Sequence, residues 1–183
     1  MTAALVGAGV TRDAGVAYAD ELRLSLRGQV RRVLARRGVD ATQRLQLKYE
    51  WAYLLLAVDP RAGTLCWRWL ERPRAEPIKA TLAAWGLDAV LWDGAGAHRA
   101  RLLADLPTIR VRLPPYSPEL NPAERVFEEI RRRTEGRVYD AVADKQAVAQ
   151  ADLAADPDRI RRLCGWDWLT DSLDSLPTAS PPS

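Results

Sequence analysis

Three acidic residues in this chain sit where carboxylates can do metal or phosphoryl chemistry. Asp20 closes the apolar run VAYAD, Asp93 closes AVLWD ahead of Gly94, Ala95 and Gly96, and Glu124 lies within LPPYSPELNPAERVFEEIRRR. Each has an ordinary alternative. An aspartate at a strand end is commonly a turn former, and Asp-Gly is a common turn dipeptide. Asn121 as N-cap, Pro122 at N1 and Glu124 at N3 would make a capping box, with the carboxylate returned to its own helix start. Taken together the three suggest more. A cluster of carboxylates is unfavourable unless cations relieve the repulsion. Mg²⁺ or Mn²⁺ suits such an oxygen-rich site, and two ions about 3.5–4 Å apart can activate a water and stabilise the leaving oxygen of a phosphodiester.

The elements that must position these acids read as a mixed α/β order. GVAYADE (15–21) is a strand, and LRLSLRGQV (22–30) alternates with a period of two. Residues 43–58 are rich in aromatic and aliphatic side chains; Asp59 to Gly63 is a tight turn, and TLCWRWL returns as a strand. The first 70 residues therefore read as an antiparallel meander. Helix over 76–86 closed by Gly86, strand over 87–93, helix over 99–106, strand in TIRVRLPP and helix over 121–133 follow. Further helix is expected over 141–155 and 158–163, then GWDWL. In mixed sheets sites gather at strand ends, which keeps Asp20 and Asp93 in view.

Composition narrows the partners. The chain has 183 residues, 48% of them apolar, enough for one domain with a core. No apolar run is long enough to span a membrane, and the first residues lack the layout of a signal peptide. Cys66 and Cys164 lie far apart, and with a single histidine a Cys/His zinc site is disfavoured. They read as reduced thiols of a cytoplasmic protein. Net charge is +3 with a pI of about 9.1, a mild tilt toward an anionic partner. Residues 23–38, RLSLRGQVRRVLARRG, hold six arginines and no acid. That is either a solvated face or a phosphate-contacting surface.

These motifs together resemble the catalytic domain of DDE transposases of the mariner-like superfamily, in its bacterial insertion-sequence branch. LPPYSPELNPAERVFEEIRRR is similar to that family's segment around its third acid. VLWDGAGAHRA is similar to the segment around the second, and YADELRLSLRGQVRRVLARRG to the first. KYEWAYLLLAVDPRAG resembles the third-strand region, the order is right, and 30 residues separate Asp93 from Glu124.

The resemblance implies a ribonuclease H-like α/β fold: an antiparallel meander, then parallel strands, flanked by helices. It implies that Asp20, Asp93 and Glu124 hold two Mg²⁺ (or Mn²⁺) ions. The chemistry implied is DNA cleavage at element ends, then attack of the freed 3′-hydroxyl on a TA-containing target. His98, Asn121, Tyr116 and Ser117 are expected near the site, and Glu21, on the opposite strand face, outside it. Arg23, Arg27, Arg31, Arg32, Arg131, Arg132 and Arg133 are expected to contact DNA phosphates, although the last three equally suit a helix C-terminus.

The expected layout is a short leader (1–13), the catalytic domain (14–170) and a disordered Pro/Ser tail (171–183). The family's N-terminal helix-turn-helix region has no room ahead of the first strand. A separate helix-turn-helix polypeptide from an upstream reading frame is therefore an expected partner, with DNA and a homodimer mate, in the cytoplasm at the nucleoid. Leu34 and Phe127 stand where relatives often carry Trp, and Gly94 where many carry Asn. The alternatives are an inactive remnant that binds DNA non-specifically, and another ribonuclease H-like nuclease.

Overall fold

The computed structural model describes residues 1–28, 34–40, 42–93, 101–154 and 156–179. Its centre is a five-stranded sheet in the order β3-β2-β1-β4-β5. The strands are β1 (Val16–Ser25), β2 (Trp51–Asp59), β3 (Thr64–Leu70), β4 (Ala89–Trp92) and β5 (Ile109–Arg112). β1, β2 and β3 pair antiparallel, while β4 runs parallel to β1 and β5 parallel to β4. The antiparallel meander is the arrangement read from the alternation of residue types, and the parallel strands that follow are those the family resemblance implied.

Period-two alternation gives the sheet two buried faces. Val16, Tyr18, Leu22 and Leu24 of β1, Leu54, Leu56 and Val58 of β2, and Ala89 and Leu91 of β4 belong to one core. Ala17 and Ala19, Leu55 and Ala57, and Val90 and Trp92 belong to the other. The first face is covered by α3 (Ala123–Thr134), α4 (Val142–Leu153), α5 (Pro157–Cys164) and α6 (Asp167–Asp174), through Phe127, Ile130, Ala149, Ile160, Leu169 and Leu173. The second is covered by α2 (Ala75–Trp85), through Ile78 and Leu82, and by Leu103 of a short 3-10 turn. α2 ends where expected, because Gly86 takes φ 61° and returns its N–H to Leu82 O at 3.2 Å.

Several boundaries differ from the sequence expectation. The two strand segments over 15–21 and 22–30 form one strand, β1, which ends at Ser25, so Asp20 lies mid-strand. One alternating register runs through both halves, and β2 pairs with it without a break from Tyr18 to Ser25. Within 43–58 the strand begins only at Trp51. The expected helix over 99–106 is a 3-10 turn, Arg101–Leu103, among its described residues.

The leader and the start of the expected tail are part of the packed structure. α1 (Thr2–Gly7) buries Leu5, and Val10 follows it into the same core. α6 extends to Asp174, and Pro177 O accepts from Arg12 N at 2.8 Å. The reason is spacing: Leu169, Leu173 and Leu176 recur at i, i+4 and i+7, a helical stripe that the sheet face buries. Among the described residues no helix is long and apolar enough to cross a membrane.

Candidate active site

Sheet register brings the first two acids together. Tyr18 lies opposite Leu91 across the parallel β1–β4 pair, and two residues further along each strand stand Asp20 and Asp93. Neighbouring strands are about 4.8 Å apart, so residues in matching phase share a neighbourhood. Asp20 continues the face of Tyr18 and Leu22, the one that α3 covers, whereas Glu21 is paired with Leu55 in the phase of the other face. The backbone of Leu113 donates to Trp92 O at 2.8 Å and carries the β4–β5 pairing up to Asp93.

The proline-rich segment delivers the third acid. Pro118–Leu120 forms a 3-10 turn, and Asn121 N closes it on Pro118 O at 3.0 Å. Asn121 is buried and uses both ends of its amide. Its Oδ1 accepts from Ala123 N at 3.1 Å at the start of α3, while its Nδ2 donates to Ala19 O at 3.2 Å and to Asp20 Oδ2 at 3.1 Å. One side chain thus ties the strand of Asp20 to the helix of Glu124. The capping box does not form: the Asn121 N–H is committed to Pro118, and Glu124 Oε2 instead accepts from Arg131 Nη1 at 3.1 Å, two turns along α3.

Asp20, Asp93 and Glu124 line a single cleft of about 450 Å³ with Arg112, Leu113, the turn Pro114–Pro118 and Asn121. Tyr116 and Ser117 are among the lining residues of this cleft. Tyr116 is fully exposed and sits at φ 57°, a left-handed conformation that costs a non-glycine residue roughly 1–2 kcal/mol. Arg112 escaped the sequence reading. Its signal is its place as the last residue of a strand that runs parallel to the one leading to Asp93. His98 lies outside the described residues.

Burial is the main reason the Asp20 carboxyl is pushed up to about 7. The N–H of Glu21, donating to Asp20 Oδ1 at 2.8 Å, opposes the shift, and the negative charges of Glu21, Glu124 and Asp93 add to it. Carboxylates are hard oxygen donors of the kind Mg²⁺ and Mn²⁺ prefer, and an acid destabilised by its neighbours is one that a cation would favour in ionised form. The donor set therefore fits divalent cations. The side chains are open, however: among the described residues no three acidic, histidine or cysteine side chains are already gathered as one metal-holding group. The Arg131 contact of Glu124 is consistent with that spread.

A second cleft, of about 390 Å³, adjoins on the β1 side and carries five cations, Arg23, Arg27, Arg131, Arg137 and Lys145, against Glu21 and Glu135. Arg23 and Arg27 lie over the rings of Trp51 and Tyr49 at 4.7 and 5.0 Å, which holds their guanidinium groups in place without neutralising them. Lys145 donates to Ser25 O at 2.7 Å, and burial lowers its ammonium pKa. Of the arginines expected to meet phosphates, Arg31 and Arg32 lie outside the described residues. Arg132 pairs with Glu129 on its own helix. Arg133 Nε lies 3.0 Å from Asp152 Oδ2, a charge contact without hydrogen-bond alignment. Those two cations thus already have carboxylate partners at the C-terminal turn of α3.

The sheet order, with its antiparallel meander and two parallel strands under α3, defines a ribonuclease H-like fold. The structure is similar to a Mos1 transposase paired-end complex with left transposon end, with a TM-score of 0.64, 18% identity, and coverage of 88% of this chain and 54% of that one. A Mos1 mariner paired-end complex with Mn gives a TM-score of 0.64, 18% identity, and 87% and 54% coverage. A simian T-cell lymphotropic virus intasome in complex with PP2A regulatory subunit B56 gamma gives 0.52, 13%, and 76% and 47%. The chain spans about half the length of the transposases it matches. No curated protein sequence matches it. The model of the DDE superfamily endonuclease family matches residues 15–144, from the start of β1 into α4, and the chain belongs to that family.

Proposed function

We propose that this chain is the catalytic domain of a transposase, cutting DNA at element ends and joining the freed 3′-hydroxyl to a TA-containing target. Asp20, Asp93 and Glu124 are the residues that would hold Mg²⁺ or Mn²⁺, two ions in all. When bound, such ions supply a nucleophilic oxygen and a stabilised leaving oxygen. The chain's own part is positional. Asp20 and Asp93 come from adjacent strands in matching phase, and Asn121 anchors the helix start of Glu124 to Asp20. Arg112, Tyr116 and Ser117 form the wall across which a DNA strand would lie. Arg23 and Arg27 offer sequence-independent phosphate contacts. Recognition of specific ends is assigned to a helix-turn-helix region, and synapsis of two ends to a homodimer.

The observation that carries this reading is the convergence of three acids, distant in sequence, on one cleft, where the Asp20 carboxyl is raised chiefly by burial and further by its acidic neighbours. The test incubates the purified chain with Mn²⁺ and pre-nicked DNA bearing the repeats that flank its gene, beside the Glu124→Gln variant. Expected is strand transfer by the wild type and a loss of more than about 100-fold in the variant, since removing a ligand exceeds the 10–100-fold typical of its supporting residues. Equal activity in both would remove Glu124 from the site. No activity in either would point to a remnant that only binds DNA.

A further inference from the structure

Arg131 lies between the basic cleft and Glu124 of the acidic one. It occurs in the lining of the basic cleft with Arg23, Arg27, Arg137 and Lys145, and also in a hollow of about 600 Å³ that holds Glu124, Asn121 and Arg125. Its Nη1 is 3.1 Å from Glu124 Oε2, with both side chains about one-third exposed. Its guanidinium lies 5.9 Å from the centroid of the buried Phe127 ring, which sits between the two on α3. Residues seven apart lie two helical turns along one face, so this contact follows from the sequence spacing itself. A long, flexible side chain that is paired at one end of its reach, and bordered at the other by four cations against the two carboxylates Glu21 and Glu135, has two places to be.

We infer that Arg131 is a positioning residue that occupies Glu124 in place of a divalent cation, and that its displacement links cation loading to polyanion binding in the basic cleft. The inference rests on the reading of Glu124 as a metal ligand. A carboxylate oxygen accepting from a guanidinium is less available to a metal ion, so cation and Arg131 compete. Released, the guanidinium adds its charge to the four already in the basic cleft, where a phosphodiester backbone would gain from it. Linkage requires the reverse as well: a polyanion that draws Arg131 away leaves Glu124 open and strengthens cation binding by the same factor. Exposed ion pairs are modest, so the competition is worth about a two- to fivefold change in affinity.

The test uses the full chain, Arg131→Met to keep the stem over Phe127, Glu124→Gln, and the double variant, each checked for an unchanged melting curve. Mn²⁺ binding is read from the loss of the free-ion electron paramagnetic resonance signal. Binding of a labelled single-stranded oligodeoxynucleotide is read by fluorescence anisotropy without metal. Expected is Mn²⁺ binding about two- to fivefold tighter in Arg131→Met than in wild type, and weaker in Glu124→Gln. Glu124→Gln should also tighten metal-free oligonucleotide binding more when Arg131 is intact than in the Arg131→Met background, because only with the arginine present is a guanidinium released. If Glu124→Gln weakens Mn²⁺ binding while Arg131→Met leaves it unchanged, or the oligonucleotide gain is equal in both backgrounds, the competition is overturned and the metal site stands. If Glu124→Gln binds Mn²⁺ like wild type, the metal reading of Glu124 fails and this inference with it.

Discussion

Asp20 keeps its proton to about pH 7 because it is buried beside other acids, and this makes the site a source of instability at neutral pH. Its ordinary value is 3.8, so between roughly pH 4 and 7 the folded chain binds more protons here than the unfolded chain does. Stability therefore falls as pH rises through that window, the reverse of a salt-bridged aspartate. The penalty at pH 8 is up to about 4 kcal/mol. Asp20→Asn, whose one oxygen can keep the contact from Asn121 or that from Glu21 N–H but not both, should still melt higher than wild type at pH 8 without divalent ions, with the gap closing near pH 4. Added Mn²⁺ should raise the wild-type melting temperature, by about 2.7 kcal/mol of stability at 100 times Kd, and leave the variant nearly unmoved. Thermal melts across pH, with and without Mn²⁺, check both signs. The three acids stood out as candidates in the sequence, because each follows an apolar run or falls at a helix start. Their shared electrostatics was not legible there, since burial of Asp20 depends on α3 lying over it.

At the scale of elements, the proline-rich turn and α3 decide where Glu124 goes. Asn121 makes three hydrogen bonds across the β1–α3 junction. Asn121→Ala would leave the Ala19 carbonyl and the Ala123 N–H without those partners, at about 1–3 kcal/mol for each group that stays buried and unpaired. We expect a lower midpoint in urea and weaker Mn²⁺ binding, the second reporting that Asp20 and Glu124 have drifted apart. The β2–β3 turn is a second junction. Gly63 has φ 70°, and a Cβ there would collide with the Pro157 carbonyl of α5. Gly63→Ala should cost at least about 2 kcal/mol in a denaturant titration, from backbone strain and the displacement of α5. The turn itself was legible from Asp59-Pro60-Arg61-Ala62-Gly63. Its contact with α5, almost a hundred residues away, was not, because no local pattern encodes which helix crosses a hairpin.

For the molecule as a whole, the C-terminal helices complete the first core. Leu169, Leu173 and Leu176 are nearly or fully buried against the sheet face that also carries Asp20. Ending the chain at Gly165 would expose that face, and at about 1.5–3 kcal/mol per buried leucine the loss exceeds about 4 kcal/mol. A broadened or absent melting transition, with increased binding of a hydrophobic dye, is the expected outcome. A cooperative melt at the wild-type temperature would mean that α6 contributes nothing to the core.

Sequence alone indicated most of the central elements and their order, since residue alternation, Gly and Pro placement and apolar runs act over a few neighbours. It also determined which acids and arginines were candidates. Tertiary structure decided the rest. Register across β1 and β4 set Asp20 beside Asp93, Asn121 turned α3 toward them, and Glu124 was drawn to Arg131 rather than to its own helix cap. It also joined two apparent strands into one and folded the start of the apparent tail into the core. The reason is that pairing register, burial and charge competition are properties of segments brought together from far along the chain, and are absent from any one of them alone.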